Sequence, residues 1–225
     1  MVIALGTFRG RLCAIDTSST IATVALWENG IVVLEREREA SHSYGETLLP
    51  LIDEVVREAG WSPRSIERWG VGLGPGSFTG VRIALATVKG IALSTGSSVV
   101  GVSGFDSLAL TADGDPSAQV IEAYRNEVFL RILEDGVSDS PRIVSYGDAR
   151  TLLDALAEAH EDFVCVGEAC SRLGLTRART LWKKPSDVPR AGQIAHLASI
   201  HPPANLDLIE PLYIRPPDIT VPKGT

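Results

Sequence analysis

Apolar residues over the first forty positions come in three short blocks, Leu12 to Ile15, Ile21 to Trp27 and Ile31 to Leu34, separated by a Ser/Thr cluster and by Glu28-Asn29-Gly30. Asn-Gly between two apolar blocks signals a hairpin, because both residues tolerate the positive φ of a type I′ turn. Three antiparallel strands are expected, with the alternating charges of Glu35 to Glu39 along the solvated end of the third. The period then changes. From Leu48 to Ala59 apolar residues recur at helical spacing, behind a Ser43/Glu46 capping box or a Thr47 cap with Pro50 in the first turn, and Gly60 ends the run. Trp69 to Leu73 reads as a fourth strand, and the glycine-rich GLGPGSFTGVR (residues 72–82) leads into a second helix carrying Val81, Ala84, Leu85, Val88, Ile91 and Ala92. Ser98 to Val102 returns as a fifth strand. The order β-β-β-α-β-α-β is three hairpin strands followed by crossovers that bring parallel strands in beside them.

The second half repeats this grammar at an offset of 106 residues, so that IDTSSTIATVALWENG aligns with IEAYRNEVFLRILEDG. Each has an acid at a strand end, a polar turn, a second strand and an Asn-Gly or Asp-Gly hairpin. Each is followed by a helix, Thr47 to Ala59 and Asp148 to Ala159, and by a strand ending in glycine, VGLG and VCVG. Duplication predicts an α/β molecule of two similar lobes, residues 11–103 and 104–215, with a mobile tail at 216–225. Asp16 and Glu122 are then expected at matching strand ends, facing one cleft from opposite sides. Ala191 to Ile200 reads as a helix that completes the second lobe or packs back on the first, and Pro211 to Arg215 as a short strand or an extended cover.

Composition narrows the chemistry. The 225 residues, 44% hydrophobic and 22% charged, suffice for one large core or two smaller ones. No apolar run approaches the roughly 20 residues of a membrane span, and the opening MVIALGTFRG lacks a basic region, a long apolar stretch and a cleavage site, so a cytosolic protein is expected. The net charge of −7 repels phosphates, and no Lys/Arg stripe interleaved with aromatics offers a nucleic-acid surface. Cys13, Cys165 and Cys170 form no CxxC pair and read as buried small apolar side chains rather than a disulfide framework or zinc site.

The doubled unit resembles the actin, sugar-kinase and Hsp70 superfamily (the actin-like/RNase H-like, or ASKHA, fold), in tandem βββαβα(β) lobes. At the level of residues AIDTSS, the stretch from His42-Ser43 to Leu48-Leu49-Pro50, GLGPGSFTGVRIALATVKGIAL, GVSGFDSLA and EPLYIRPPD resemble the TsaB (YeaZ) family. The resemblance runs from Leu12 to Asp218, and GPGSFTGVR is its most specific part. It implies a non-catalytic partner of a TsaD-like catalytic subunit and a TsaE-like ATPase. Together these form N6-threonylcarbamoyladenosine at position 37 (t6A37) of tRNAs reading codons that begin with A. It further implies that ATP is used by the complex and not held tightly by this chain, and that tRNA is met only through the complex.

The residues were asked separately whether the chain could act alone. TsaD-like subunits carry two histidines one helical turn apart after the strand corresponding to Ser98 to Val102; here that place reads GVSGFDSLALTA. His42 with Glu46 has no further ligand, and His196 and His201 fall off one helical face, so no metal site is expected. Neither Cys13 nor any serine has a histidine at a recognisable motif spacing, and no catalytic residue is assigned. Asp16, Thr17, Ser18 and Glu122 read as a vestigial nucleotide cleft. Thr17-Ser18-Ser19 lacks the Gly and Lys of a phosphate turn, and Gly167-Glu168-Ala169-Cys170 puts an acid where a second phosphate loop wants backbone amides. Where Glu122 and Tyr124 stand, family members more often show Asp and Arg.

Two functions from different classes follow: a scaffold subunit, or a stand-alone ATP-dependent kinase or hydrolase of the two-lobed superfamily. The scaffold reading places Leu49, Val56, Ile83, Ala86, Thr87, Gly90 and Ser94 of the first two helices against a TsaD-like partner or a second copy of the chain. Small residues four apart at Ala86, Gly90 and Ser94 let helices approach closely. Gly74, Pro75, Gly76, Ser77, Phe78, Thr79, Gly80 and Arg82 form the motif loop. It matches neither GxxxxGK[ST] nor GxGxxG, and its expected role is to set the start of the second helix.

Overall fold

Asn29 and Gly30 take φ of 52° and 101°, and Asp135 and Gly136 take 50° and 72°, so both hairpins turn with two left-handed residues as their sequences require. They belong to a computed structural model that describes residues 8–40 and 43–214; the expectations for His42, Arg215 and the tail at 216–225 lie outside the described residues. The first sheet contains β1 (Arg11–Asp16), β2 (Ile21–Glu28), β3 (Ile31–Glu39), β4 (Arg68–Gly72) and β5 (Ser98–Val102) in the order β3-β2-β1-β4-β5. The three hairpin strands are antiparallel, and β1, β4 and β5 run parallel.

Helices α1 (Tyr44–Glu58) and α2 (Phe78–Thr95) make the two crossovers, and both pack on one face of this sheet around Trp69, Leu48, Val55, Ala84 and Val88. Pro50 lies inside α1 rather than in its first turn, and Ser43 occupies the cap position without a side-chain capping bond. Ser77 caps α2, its Oγ accepting from the Gly80 N–H at 3.2 Å.

After α3 (Gly104–Ala109) the second sheet contains β6 (Ser117–Ala123), β7 (Glu127–Glu134), β8 (Val137–Ser138), β9 (Arg142–Ser145), β10 (Val164–Val166) and β11 (Arg179–Leu181). Its order is β11-β10-β6-β7-β8, with β9 also on β7, which repeats the order and directions of the first sheet. Helix α4 (Tyr146–Ala159) takes the place of α1, and the four-residue α5 (Cys170–Leu173) that of α2. This doubled arrangement is the actin-like fold.

Of the two remaining α-helices, one stays with the second lobe and the other crosses to the first. Phe105 and Leu108 of α3 pack on the second sheet against Ile121, Val164 and Val166. Helix α6 (Ala191–Ile200) returns to cover the open face of the first sheet, where Ile194, Ala195 and Ala198 meet Leu12, Ala14, Ala25 and Val100. The sequence left the place of this helix open; it packs on the first lobe although its residues follow the second. Its first amides find acceptors there too: Ala191 N–H donates to Thr23 Oγ1 at 3.0 Å and Gly192 N–H to Glu35 Oε1 at 2.9 Å. Pro211 to Ile214 has no regular structure and lies as an extended cover, with Leu212 N–H donating to the Leu73 carbonyl at 2.8 Å.

Candidate functional site

The turn after β1 is where a two-lobed kinase would hold phosphate, and here the glycine-rich loop after β4 fills it. Ser77 N–H donates to the Ser18 carbonyl at 2.6 Å, and the Thr17 hydroxyl donates to the Gly80 carbonyl at 2.7 Å. A Cβ on Gly76 would stand 2.0 Å from the Ser18 carbonyl oxygen, and one on Gly80 2.0 Å from that of Thr17. Glycine is demanded at both places by close backbone approach, and at Gly76 also by a φ of 149°. Of the turn's donors, the Thr17 hydroxyl is taken by this loop and the Ser18 N–H and hydroxyl by Asp16. A phosphate placed there would compete with these bonds.

Asp16 is 0% exposed. Its Oδ1 accepts from the Ser18 N–H and hydroxyl at 2.9 and 2.8 Å, while Oδ2 is buried with no hydrogen-bond partner. A Cβ at position 72 would lie 1.8 Å from Oδ2, so Gly72 makes the room this oxygen occupies. Burial pushes the carboxyl up to about 6, against the two Ser18 bonds that pull it down. Asp16 is therefore a buried structural acid and does not face a cleft.

Nor is Glu122 its counterpart. The 106-residue offset holds between β2 and β7 but slips by one between β1 and β6: Asp16 stands opposite Thr23, whereas Ile121, not Glu122, stands opposite Phe129. The packing agrees, since Cys13 and Ile15 join Val24 on the α1/α2 side while Ala118 and Val120 join Val128 and Leu130 on the α4/α5 side. The second hairpin is one residue longer, with Arg125 and Asn126 both left-handed, and a slip of one turns every side chain of a strand to its other face. Glu122 reaches the rim of the cleft from the α4 side. There the Tyr146 hydroxyl donates to it, and Arg172 Nη1 bonds both its oxygens at 3.1 Å.

A groove between the lobes has two adjoining ends that share Gly76, Ala123, Tyr124 and Phe129 in their walls. One end, about 390 Å³, is lined by Ser18, Ser19, Tyr44, Glu122 and Glu168. Glu168 is half-buried and pushed up to about 7, chiefly by burial and then by the charge of Glu122. Of the two carboxyl groups in this recess, Glu122 is paired with Arg172 and Glu168 favours its protonated form. The other end, about 440 Å³, is apolar, walled by Phe78, Val81, Phe129, Leu212 and Tyr213. At its rim the Arg82 guanidinium lies 3.7 Å from the Phe78 ring centroid, and its Nε donates to the Tyr213 hydroxyl at 3.0 Å. Glu168 is the acid the sequence set in the second turn and Tyr213 lies in the EPLYIRPPD stretch, whereas Tyr44 had no signal of its own. Among the described residues no three His, Cys, Asp or Glu side chains converge on a metal-sized site, and no helix is long and apolar enough to cross a membrane.

The expected partner face divides on burial. Ala86, Gly90 and Ser94 are exposed in a row along α2, Leu49 is 54% exposed on α1, and Ile83 and Thr87 are half-buried. Val56 is 2% exposed and packs in the core beneath α1, so it belongs to no free surface; the wide apolar stripe of that helix had grouped it with outward residues. Leu93, 75% exposed beside Ser94, is an apolar residue of this face that the spacing argument missed.

The model of the family described as "TsaD: tRNA N6-adenosine threonylcarbamoyltransferase" matches residues 33–145. The tRNA threonylcarbamoyladenosine biosynthesis protein TsaB of Escherichia coli is 37% identical over 41% of this chain and 40% of its own length. That of Haemophilus influenzae is 31% identical over 52% of this chain and 51% of its own. The matches thus span about half the length of these curated relatives or less. The solved structure of YeaZ from Pseudomonas aeruginosa superposes with a TM-score of 0.74 at 25% identity, covering 91% of this chain and 99% of that one.

Proposed function

The chain belongs to the TsaB (YeaZ) family, and from that premise we propose that it is a non-catalytic scaffold subunit in formation of t6A37 in tRNAs reading codons that begin with A. It acts in the cytoplasm by docking on a TsaD-like catalytic subunit and works with a TsaE-like ATPase. ATP is used by the complex, and tRNA is held mainly by the other subunits, in keeping with a net charge of −7 on this chain.

The observation that carries the reading is the filled turn: the donors a phosphate would need are taken, the Thr17 hydroxyl by the Gly80 carbonyl and the Ser18 N–H and hydroxyl by Asp16 Oδ1. Support for docking comes from α2, where small residues at Ala86, Gly90 and Ser94 and the exposed Leu93 leave a row open for close helix approach. In isolation a second copy of the chain is the alternative occupant of the same face.

Gly90 is the place to test this, because a Cβ there meets nothing within 4 Å. Gly90→Arg is expected to leave the thermal midpoint of the chain nearly unchanged while reducing co-purification with the cognate TsaD-like subunit by about tenfold or more, or about 1.4 kcal/mol. Unchanged co-purification removes the proposed surface. Calorimetry with ATP and magnesium is expected to give no saturable heat with the chain alone. A micromolar isotherm lost on Asp16→Ala overturns the scaffold reading in favour of a stand-alone ATP-dependent enzyme.

A further inference from the structure

Two groups outside the groove and the helix face remain unused. Cys165, in the middle of β10, and Cys170, at the start of α5, are both buried, and their Sγ atoms lie 2.7 Å apart. That is inside van der Waals contact and roughly 0.7 Å beyond the ~2.05 Å of a sulfur–sulfur bond. The backbone on both sides is hydrogen-bonded in place, which keeps the two side chains adjacent. Cys165 pairs between β6 and β11, opposite Ala118 and Thr180. Between the cysteines, Gly167 N–H donates to the Leu181 carbonyl at 3.0 Å, Glu168 N–H to the Asp187 carbonyl at 2.7 Å and Cys170 N–H to the Gly167 carbonyl at 3.1 Å. Gly167 itself has φ of 121°, and a Cβ on it would stand 2.0 Å from the Val120 carbonyl oxygen.

We propose that Cys165 and Cys170 are a dithiol that closes to an intrachain disulfide when a small-molecule disulfide oxidises it, fastening the turn that presents Glu168 to the groove. In a local opening of α5 that bares Cys170, its thiolate attacks the oxidant disulfide, forming a mixed disulfide and releasing one thiol. The second cysteine's thiolate then attacks the protein sulfur of that mixed disulfide and releases the other thiol. Two protons and two electrons leave the chain, and the oxidant is reduced to two thiols. Burial keeps the Cys165 thiol protonated well above the usual thiol range, so closure is slow and quickens as pH rises. Cys13, buried in β1 of the other lobe, has no such neighbour among the described residues and stays reduced.

The test incubates the full chain, natively folded, with oxidised glutathione at mildly alkaline pH and reads intact mass and thiols titrated in denaturant. The expected result is loss of two hydrogens, a fall from the three free thiols to one, a peptide linked between positions 165 and 170, and reversal by a dithiol reductant. Cys13→Ser should behave like the wild type, whereas Cys170→Ser should lose no hydrogens and form no link. Persistence of all three thiols, stable glutathione adducts in place of the link, or equal oxidation of wild type and Cys170→Ser overturns the proposal. This readout is independent of any binding to a TsaD-like subunit.

Discussion

Asp16 shows what one misplaced charge costs. Its Oδ2 is enclosed without a donor, and the carboxyl titrates at about 6 when folded against an ordinary value of 3.8. Between those values the folded chain holds a proton that the unfolded chain releases, so stability is highest below about 4 and falls as pH rises through about 6. Asp16→Asn keeps an acceptor for Ser18 and removes the charge. It is expected to raise stability at neutral pH by roughly 2–3 kcal/mol and to flatten the pH dependence between 4 and 6, as read from denaturant melts at several pH values. A variant whose stability still falls over that interval would show that another group carries the titration.

At the scale of elements, the contact between the β1–β2 turn and the loop before α2 is backbone against backbone, which leaves no flexible side chain to yield. Gly76→Ala is therefore expected to cost roughly 3 kcal/mol or more, measured by denaturant unfolding, because its Cβ would overlap the Ser18 carbonyl and its φ of 149° suits only glycine. That contact was not legible in the sequence, but the hairpins were: Asn29-Gly30 and Asp135-Gly136 announced their turns, and Gly60 the end of α1. The face of β6 was not. Ala118, Val120 and Ile121 are all apolar, so the alternation of this buried strand is weak, and the extra residue at Arg125-Asn126 shifted the match of Asp16 without disturbing the pattern. Helix α6 was legible as a helix because its ten residues keep apolar spacing. Its destination was not, since an apolar stripe does not say which sheet it covers.

For the whole molecule, the lobes are tied by a buried guanidinium. Arg190, just before α6, bonds Asp187 beside it and Glu37 on β3 of the first lobe, and Lys184 reaches the same Glu37 at 2.8 Å. The Lys184 bond, with Arg190, holds the Glu37 carboxyl below its ordinary range despite some burial, so this tie contributes stability above that range and loses it as pH falls into acid. Arg190→Met is expected to cost roughly 2–3 kcal/mol in unfolding free energy, because it leaves the part-buried Asp187 without its partner and Glu37 with Lys184 alone. An effect below about 0.5 kcal/mol would mean that the apolar contacts of α6 alone fix the two lobes.

The crossing of α6 also sets an order in time. Leu12, Ala14 and Ala25 leave the ribosome early, but the surface that shields them, Ile194, Ala195 and Ala198, is translated some 170 residues later. At about 5–20 residues per second that is an interval of roughly ten to thirty seconds. During it one side of the first sheet stands bare, so the lobe made first is the lobe completed last. Nascent chains of this protein should therefore bind chaperones that read apolar strands until Ile200 has emerged, and ribosome-stalled chains ending before residue 190 should be the ones most readily cut by protease in β1 and β2.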